Sequence, residues 1–451
     1  MSALWPTGNG RNSPRRVSQS SSRAELFRAK CARVALRVIS DMGMQRRTFL
    51  GLAAATGALA LAPASLPAAA AGGLVLPPPI SRDERIRRIE KAQALMRAAG
   101  IRAVMVEAGS SLVYFTGIEW WRSERLTAAV IPAEGVPLVV TPAFEEPSVR
   151  ESLAIDADLR TWNENENPAR VIADWLRSRG ATRGPVGVEE TVRFFAFDGL
   201  RRQGVETRDD AGVVRACRVL KSPAEIALMQ AASDITIAAY REVAPQVERG
   251  MTPDDIGKRI SAAMSRLGAE PEFTLVLIGE ASAYPHGSGK PQMVREGETV
   301  LLDCGCSVQG YQSDISRTLV FGEASREQRA VWAQVKLGQQ IAFDAARPGT
   351  AAGAVDDAVR SAYAKAGYGP GYKLPGTPHR TGHGIGLDGH EPVNIVQGET
   401  TPLASGMCFS IEPGLYLPGR FGVRLEDCVH MAADGPIWFT RPPVSIDAPI
   451  G

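Results

Sequence analysis

Three of the chain's five histidines, His379, His383 and His390, fall within twelve positions in the stretch HRTGHGIGLDGHE. A lone histidine is usually packed or solvated, but this concentration points to metal or proton-transfer chemistry. On a helix, His379 and His383 at i, i+4 would suggest a mononuclear zinc site. The glutamate that such a motif needs is missing, however, and Gly382, Gly384, Gly386 and Gly389 disfavour a helix. The stretch is therefore expected to be loop plus strand.

A second set of candidates is carboxylic. Asp303 ends the run TVLLD, Asp314 lies just past a turn at Gly310, Glu412 sits in CFSIEPG and Glu426 in GVRLED. Any single carboxylate is most often solvated, but four at the ends of apolar strands are another matter. An unpaired buried carboxylate costs several kcal/mol even after relaxation, so a cluster of them requires cations to stay ionised. Arg424 is the clear basic residue in these strands. Two divalent ions would balance four carboxylates, with a neutral imidazole as nitrogen ligand and a bound hydroxide whose charge Arg424 could offset. Such an oxygen-rich donor set suits manganese, iron(II), cobalt or zinc, and not a thiolate site.

The elements that must position these groups are legible. Ser222, Pro223 and Glu225 are an N-cap, a first-turn proline and a capping-box glutamate, so a helix starts there and runs toward Val247. Thr252, Pro253 and Asp255 repeat the signal for a second helix ending at Gly268. Strands are expected at Phe273 to Ile278, Thr299 to Asp303, Ser316 to Phe321, Met407 to Glu412 and Gly422 to His430, interrupted by a helical stretch from Arg326 to Ala366. Upstream, Arg85 to Ala99 reads as an amphipathic helix closed by Gly100. Ala103 to Val106 reads as a buried strand, Ala128 to Ile131 and Pro137 to Val140 as a hairpin, and Ala169 to Arg177 as a helix. This upstream part is an α/β domain without a histidine and without a glycine-rich phosphate loop. Its conspicuous cluster, Trp120 to Arg125, is assigned to packing or a domain contact, with a pocket or dimer role as the sharper alternative.

The 451 residues suggest two or three domains. The net charge of +2 conceals a basic front end, because beyond residue 71 there remain 41 basic and 47 acidic residues. No basic stripe with interleaved aromatics suggests nucleic acid. Arg46, Arg47, Thr48, Phe49 and Leu50 give a twin-arginine pattern, followed by an apolar run from Leu50 to Ala62 and the alanine-rich Ala68 to Ala71. The run is shorter than a membrane span needs, so a cleaved signal and a periplasmic or otherwise exported product are expected. GSGK at Gly287 to Lys290 lacks the first glycine of a phosphate loop. Five cysteines remain after the signal, an odd number that disfavours a disulfide framework, and Cys304, Cys306, Cys408 and Cys428 read as small buried strand residues. Strand alternation puts Cys428 and His430 on the side of Glu426, although His430 reads as structural.

Taken in order, LKSPAEI, the aspartate pair eleven apart (LLDCG, then SDISRT), HRTGHGIGLDGHE, FSIEPGLY and GVRLED resemble the pita-bread metallopeptidases, in the branch of prolidase and aminopeptidase P. The resemblance covers almost everything after the signal. It implies an α+β architecture: residues 1–71 as extension and twin-arginine signal, 80–215 as a creatinase-like α/β N-terminal domain, and 216–446 as a pita-bread catalytic domain. It further implies that Asp303 binds one metal, His383 and Glu412 the other, and that Asp314 and Glu426 bridge. Glu412 becomes the general base, while His286 and His390 contact the reacting groups. His379, Arg424 and Tyr416 line the substrate site, and Arg424 could also fix Glu426. The expected reaction is hydrolysis of Xaa-Pro bonds in dipeptides or short peptides by a hydroxide shared between two divalent ions, manganese first, in a homodimer. Two alternatives stand beside it. One is a same-fold hydrolase or lyase acting on a small non-peptide substrate, of creatinase, ectoine or sulfoniopropionate type; the other is an inactive binding module.

Overall fold

The computed structural model describes residues 75–451, Thr182 excepted. The twin-arginine segment and the apolar run after it lie outside the described residues. Among the described residues, no helix is long and apolar enough to cross a membrane.

The first part of the described chain is a mixed six-stranded sheet. In spatial order its strands are Asp158–Trp162, Leu138–Pro142, Ala128–Pro132, Ala103–Glu107, Val186–Val188 and Thr207–Asp209. The expected hairpin forms, with Ala128 facing Val140 in antiparallel register. The opening helix, Arg82–Ala99, starts one turn earlier than its apolar periodicity indicates. Ser81 caps it by accepting from the Glu84 N–H, and Gly100 closes it at φ 67°.

The second part has two antiparallel halves, each covered by a helix pair. Glu270–Ile278, Thr299–Val308 and Ile315–Val320 form one sheet, against which the helices Pro223–Val243 and Pro253–Arg266 pack. Both helices begin with the expected capping box, at Ser222 and at Thr252. The first ends four residues short of the expected Val247, because Pro245 cannot continue it, and a short 3-10 turn follows. The other half holds Glu391–Ile395, Gly382–Gly384, Cys408–Ile411, Asp427–Met431 and Pro436–Trp438, with the hairpin Gly414–Leu417/Phe421–Arg424 beside them.

Two sequence expectations are corrected. The stretch Arg326 to Ala366 is not one helix but two, Arg326–Ala345 and Ala352–Lys365, since Pro348 lacks a backbone N–H and disfavours the helical conformation of Arg347. The run Gly422 to His430 is not one strand: it breaks at Leu425 and Glu426, where the chain passes from the two-stranded hairpin to the five-stranded sheet. One buried apolar cluster continues from Val104, Leu112 and Phe115 through Val214 and Cys217 to Leu228, Ile235 and Leu302. The sheet of the first part and the helices of the second therefore share a core.

Candidate metal centre

The two aspartates are brought together by a tight hairpin. Gln309 and Gly310 both take positive φ, 53° and 77°, and the flanking Val308 and Tyr311 pair across the turn, as a two-residue hairpin of right-handed strands requires. The returning arm sets Ser316 opposite Asp303. Asp314, two residues before Ser316, points to the same face, so the spacing of eleven is the arithmetic of this turn.

His383 sits in the middle of Gly382–Gly384, a three-residue strand clamped between two neighbours. A Cβ on Gly382 would come 2.0 Å from the carbonyl oxygen of Ser410, and one on Gly384 would come 2.2 Å from that of Pro392. These glycines thus allow a close approach of strand to strand, with the histidine between them. Glu412 follows the strand Cys408–Ile411 and donates its N–H to Thr381 O at 2.8 Å. Glu426, in the break between two strands, donates its N–H to Ser316 O at 3.1 Å and so joins the aspartate hairpin to the other half.

The side chains converge. His383 Nε2 lies 3.4 Å from Glu412 Oε1, 3.6 Å from Asp314 Oδ2 and 4.0 Å from Glu426 Oε1. Three overlapping sets have candidate ligand atoms within 4.8 Å of one another: Asp303, Asp314 and Glu426; His383, Glu412 and Glu426; and Asp314, His383 and His390. Glu426 belongs to the first two, and Asp314 joins the first to the third. His383 Nδ1 is 3.1 Å from the Gly384 carbonyl, to which it donates, which leaves the Nε2 lone pair facing the carboxylates.

The electrostatics test whether cations fit. Burial, followed by the charges of Asp303 and Glu412, holds the Asp314 carboxyl well above the ordinary range. Burial and the charges of Asp314 and Glu412 do the same to Glu426. Glu412 is pushed up to about 7, by burial first, with Arg424 opposing and Asp303 adding to the rise. His383 is pushed down to about 3 by burial and by His390, so its imidazole is neutral. Glu426, the residue shared by two of the sets, has its Oε1 buried without a hydrogen-bond partner. An acceptor of this kind, among acids that repel one another, fits a bound cation and is costly without one.

Around this group the polar contacts are closed. Arg424 pairs with Asp303, donates Nε to Ser316 Oγ at 2.8 Å, and donates Nη1 to Tyr416 OH and Pro285 O, each at 3.1 Å. The direct partner of Arg424 is thus Asp303. Glu426 is reached only through Ser316, whose Oγ lies 2.8 Å from both Asp303 Oδ1 and Glu426 Oε2. Tyr416 OH donates to His379 Nε2 at 2.8 Å, and His379 Nδ1 donates to Arg380 O at 2.7 Å. His379 and Arg424 therefore form one wall with their hydrogen-bonding atoms already committed to the protein, whereas Tyr416, expected to line the substrate site, is fully buried and backs that wall instead. His390 differs. Arg380 Nη2 donates to its Nδ1 at 2.8 Å, which places the imidazole proton on Nε2. Its ring lies 3.8 Å from that of His383, centroid to centroid.

His286, His379, His383 and His390 line one cavity of about 690 Å³ together with the four acids and Arg424. Tyr416 lies behind this wall. Trp120 to Arg125 do not line it: Trp120 packs on the core and stacks on Trp121, which is 74% exposed. Cys217, Cys304, Cys306, Cys408 and Cys428 are free and buried, and Cys428 Sγ donates to Asp314 O at 3.3 Å. His430 packs against Phe439, away from the cavity. Residues missed in the sequence include Ser316, Arg380 and the buried pair Asp356–Arg360. Arg360 Nη2 donates to His379 O at 2.6 Å, and Asp356 Oδ1 accepts from Thr381. Ser316 carried a usable signal, since it shares the strand face of Asp314. Asp356 and Arg360, on a distant helix, carried none.

A cavity walled by acids and by the imidazoles of His379 and His383, which burial holds neutral, is set between two antiparallel halves and has the donor set of a metallohydrolase. Residues 227–433 match the metallopeptidase family M24, and residues 88–220 match the creatinase/prolidase N-terminal domain. The chain is 34% identical over 358 residues to the probable dipeptidase PepE of Mycobacterium tuberculosis, a match covering 78% of this chain and 93% of that one. It is 32% identical over 360 residues to an Xaa-Pro dipeptidase of Lactobacillus helveticus, covering 78% and 96%. The crystal structure of dipeptidase PepE from Mycobacterium ulcerans superposes with a TM-score of 0.74 at 31% identity, covering 81% of this chain and 98% of that one. The chain belongs to metallopeptidase family M24: it is a peptide hydrolase with a creatinase-type N-terminal domain and a pita-bread catalytic domain.

Proposed function

We propose that this peptidase cleaves the Xaa-Pro bond of dipeptides or short peptides with two divalent ions, held by Asp303, Asp314, His383, Glu412 and Glu426. The observation that carries this reading is the pair of three-residue ligand sets that share Glu426. When bound, two such ions supply Lewis acidity toward the scissile carbonyl and a water acidic enough to attack it near neutral pH. The donors are four carboxylates and one imidazole, a composition that favours manganese, with iron, cobalt or zinc as alternatives.

The chain's own groups do the rest. Glu412 faces both His383 and the cavity, and its Oε atoms take the proton of the attacking water. His390 presents Nε2–H and His286 stands exposed on the same cavity. These two donate to the negative charge developing on the carbonyl oxygen and to the leaving nitrogen. That second donation matters for proline, whose amide nitrogen carries no hydrogen in the substrate. Phe273, Leu275, Pro378 and Val396 give the cavity an apolar side that suits a pyrrolidine ring.

Export through the twin-arginine route remains part of the proposal. That route carries folded proteins, and the five buried free thiols are protected if folding is completed in a reducing compartment. A homodimer is also inferred. Phe144, Phe194 and Phe195 are exposed on the N-terminal domain beside Arg125 and Arg193, an aromatic and basic surface of the sort found at interfaces. A metal-reconstituted panel of Xaa-Pro dipeptides, longer Xaa-Pro peptides, creatine and small zwitterions tests the substrate. Turnover of Xaa-Pro peptides is expected, and turnover of the last two groups alone would replace this reading.

A further inference from the structure

Between Gly384 and Glu391 the chain crosses from one strand to the next in a glycine-bearing loop, and His390 is its last residue. The loop has little ladder of its own and is fastened from outside. Arg218, the last residue of the helix Val213–Arg218 in the N-terminal part of the chain, donates Nη2 to Asp388 Oδ2 at 2.8 Å and to Glu391 Oε1. Its Nη1 donates to Ser111 Oγ at 3.0 Å, and Ser111 in turn donates to Glu189. Ser110 Oγ donates to Asp388 Oδ1. Lys221 Nζ donates to Glu391 Oε2 at 2.9 Å, and the Asp388 N–H donates to Glu391 Oε1 at 3.1 Å. Glu391 is 5% exposed at its side chain and Lys221 is 1% exposed. The network sets two cations against the carboxylates of Asp388, which is 46% exposed at its side chain, and Glu391, which is buried, and the partners of these carboxylates from elsewhere in the fold are Ser110, Arg218 and Lys221.

The geometry points to Arg218 as a positioning residue that acts through His390: Ser110 and Arg218, both within the residues 88–220 that match the creatinase/prolidase N-terminal domain, set the place of a proton donor in the metal cavity by gripping Asp388 and Glu391 on either side of it. His390 is held on its other side by Arg380. With Arg218 removed, Asp388 and Glu391 lose their shared cation and the loop is free to relax into the cleft behind it, a cavity of about 340 Å³ that His390 also lines. None of the five proposed metal ligands is part of this network, so metal content should not follow the loop.

The inference rests on the proposed role of His390, and a double-mutant cycle separates the two. Arg218→Met is expected to lower kcat for an Xaa-Pro dipeptide by about 10- to 100-fold, with KM and metal content nearly unchanged, and Arg218→Lys to recover part of the loss. In a His390→Ala background, Arg218→Met is expected to cost less than about twofold more, since the group it positions is already gone. Losses that multiply in the double variant would overturn the positioning role alone. Wild-type kcat in His390→Ala would remove the role of His390 and the inference with it. Ser110→Ala deletes one hydrogen bond to Asp388 and supplies a milder variant, expected to show the same masking by His390→Ala. A second readout is independent of turnover. With only five histidines in the chain, imidazole NMR of the metal-free protein should show the His390 signals moved in Arg218→Met and those of His430 unmoved. Unmoved His390 signals would contradict the inference.

Discussion

Glu426 carries the strongest residue-scale argument, because it belongs to two of the three ligand sets and its Oε1 is buried without a hydrogen-bond partner. Glu426→Gln keeps the shape and removes the charge, so metal binding should fall from two ions per chain and hydrolysis should be lost, as read by elemental analysis and a dipeptide assay. Glu412→Ala should abolish metal-dependent Xaa-Pro hydrolysis. Ser316→Ala is subtler: it removes the hydroxyl that links Asp303, Glu426 and Arg424, and metal affinity should drop by about 10- to 100-fold without loss of fold. At this scale much of the candidate site was legible. The four acids stood out at the expected strand ends, although Asp303 falls within the strand Thr299–Val308, and His383 was singled out from three clustered histidines by the family resemblance; all five converge. The roles of His379 and Arg424 were harder to read, because a sequence shows which polar groups exist and not which of them are already partnered.

At the scale of elements, the His383 strand depends on contacts that a side chain would fill. Gly384→Ala would place a Cβ 2.2 Å from the Pro392 carbonyl oxygen, and the strand must shift to accommodate it. A stability loss of more than about 2 kcal/mol is expected, visible as a lower Tm, together with weaker metal binding as His383 moves. The sequence suggested loop and strand for this stretch, but the close approach of the Ser410 and Pro392 backbone that requires glycine at 382 and 384 is a long-range contact that the local sequence does not show. Caps and periodicity made most elements readable, since they act locally, as Ser222 and Thr252 show. The break at Leu425 and Glu426 was hidden inside an apolar run. Only the crossing between two sheets, a long-range property, explains it.

For the whole molecule, the acid cluster links stability to pH and to metal. In the metal-free protein, Glu412 is raised to about 7 and Asp314 and Glu426 stand well above their ordinary values. Groups raised in this way cost nothing below their unfolded values and destabilise the fold progressively as pH rises from the unfolded toward the folded value, beyond which the penalty is constant. The metal-free protein should therefore lose Tm between about pH 5 and pH 8, and the rise in Tm on adding divalent ions should be larger at pH 8. An apo Tm that increases across that range would oppose the electrostatic account. The most direct test of the central claim is a titration of metal-free protein with manganese, following Xaa-Pro dipeptide hydrolysis and bound metal together. Activity that appears with metal and saturates at two ions per chain is the expected result, whereas full hydrolysis by protein shown to be metal-free would contradict it.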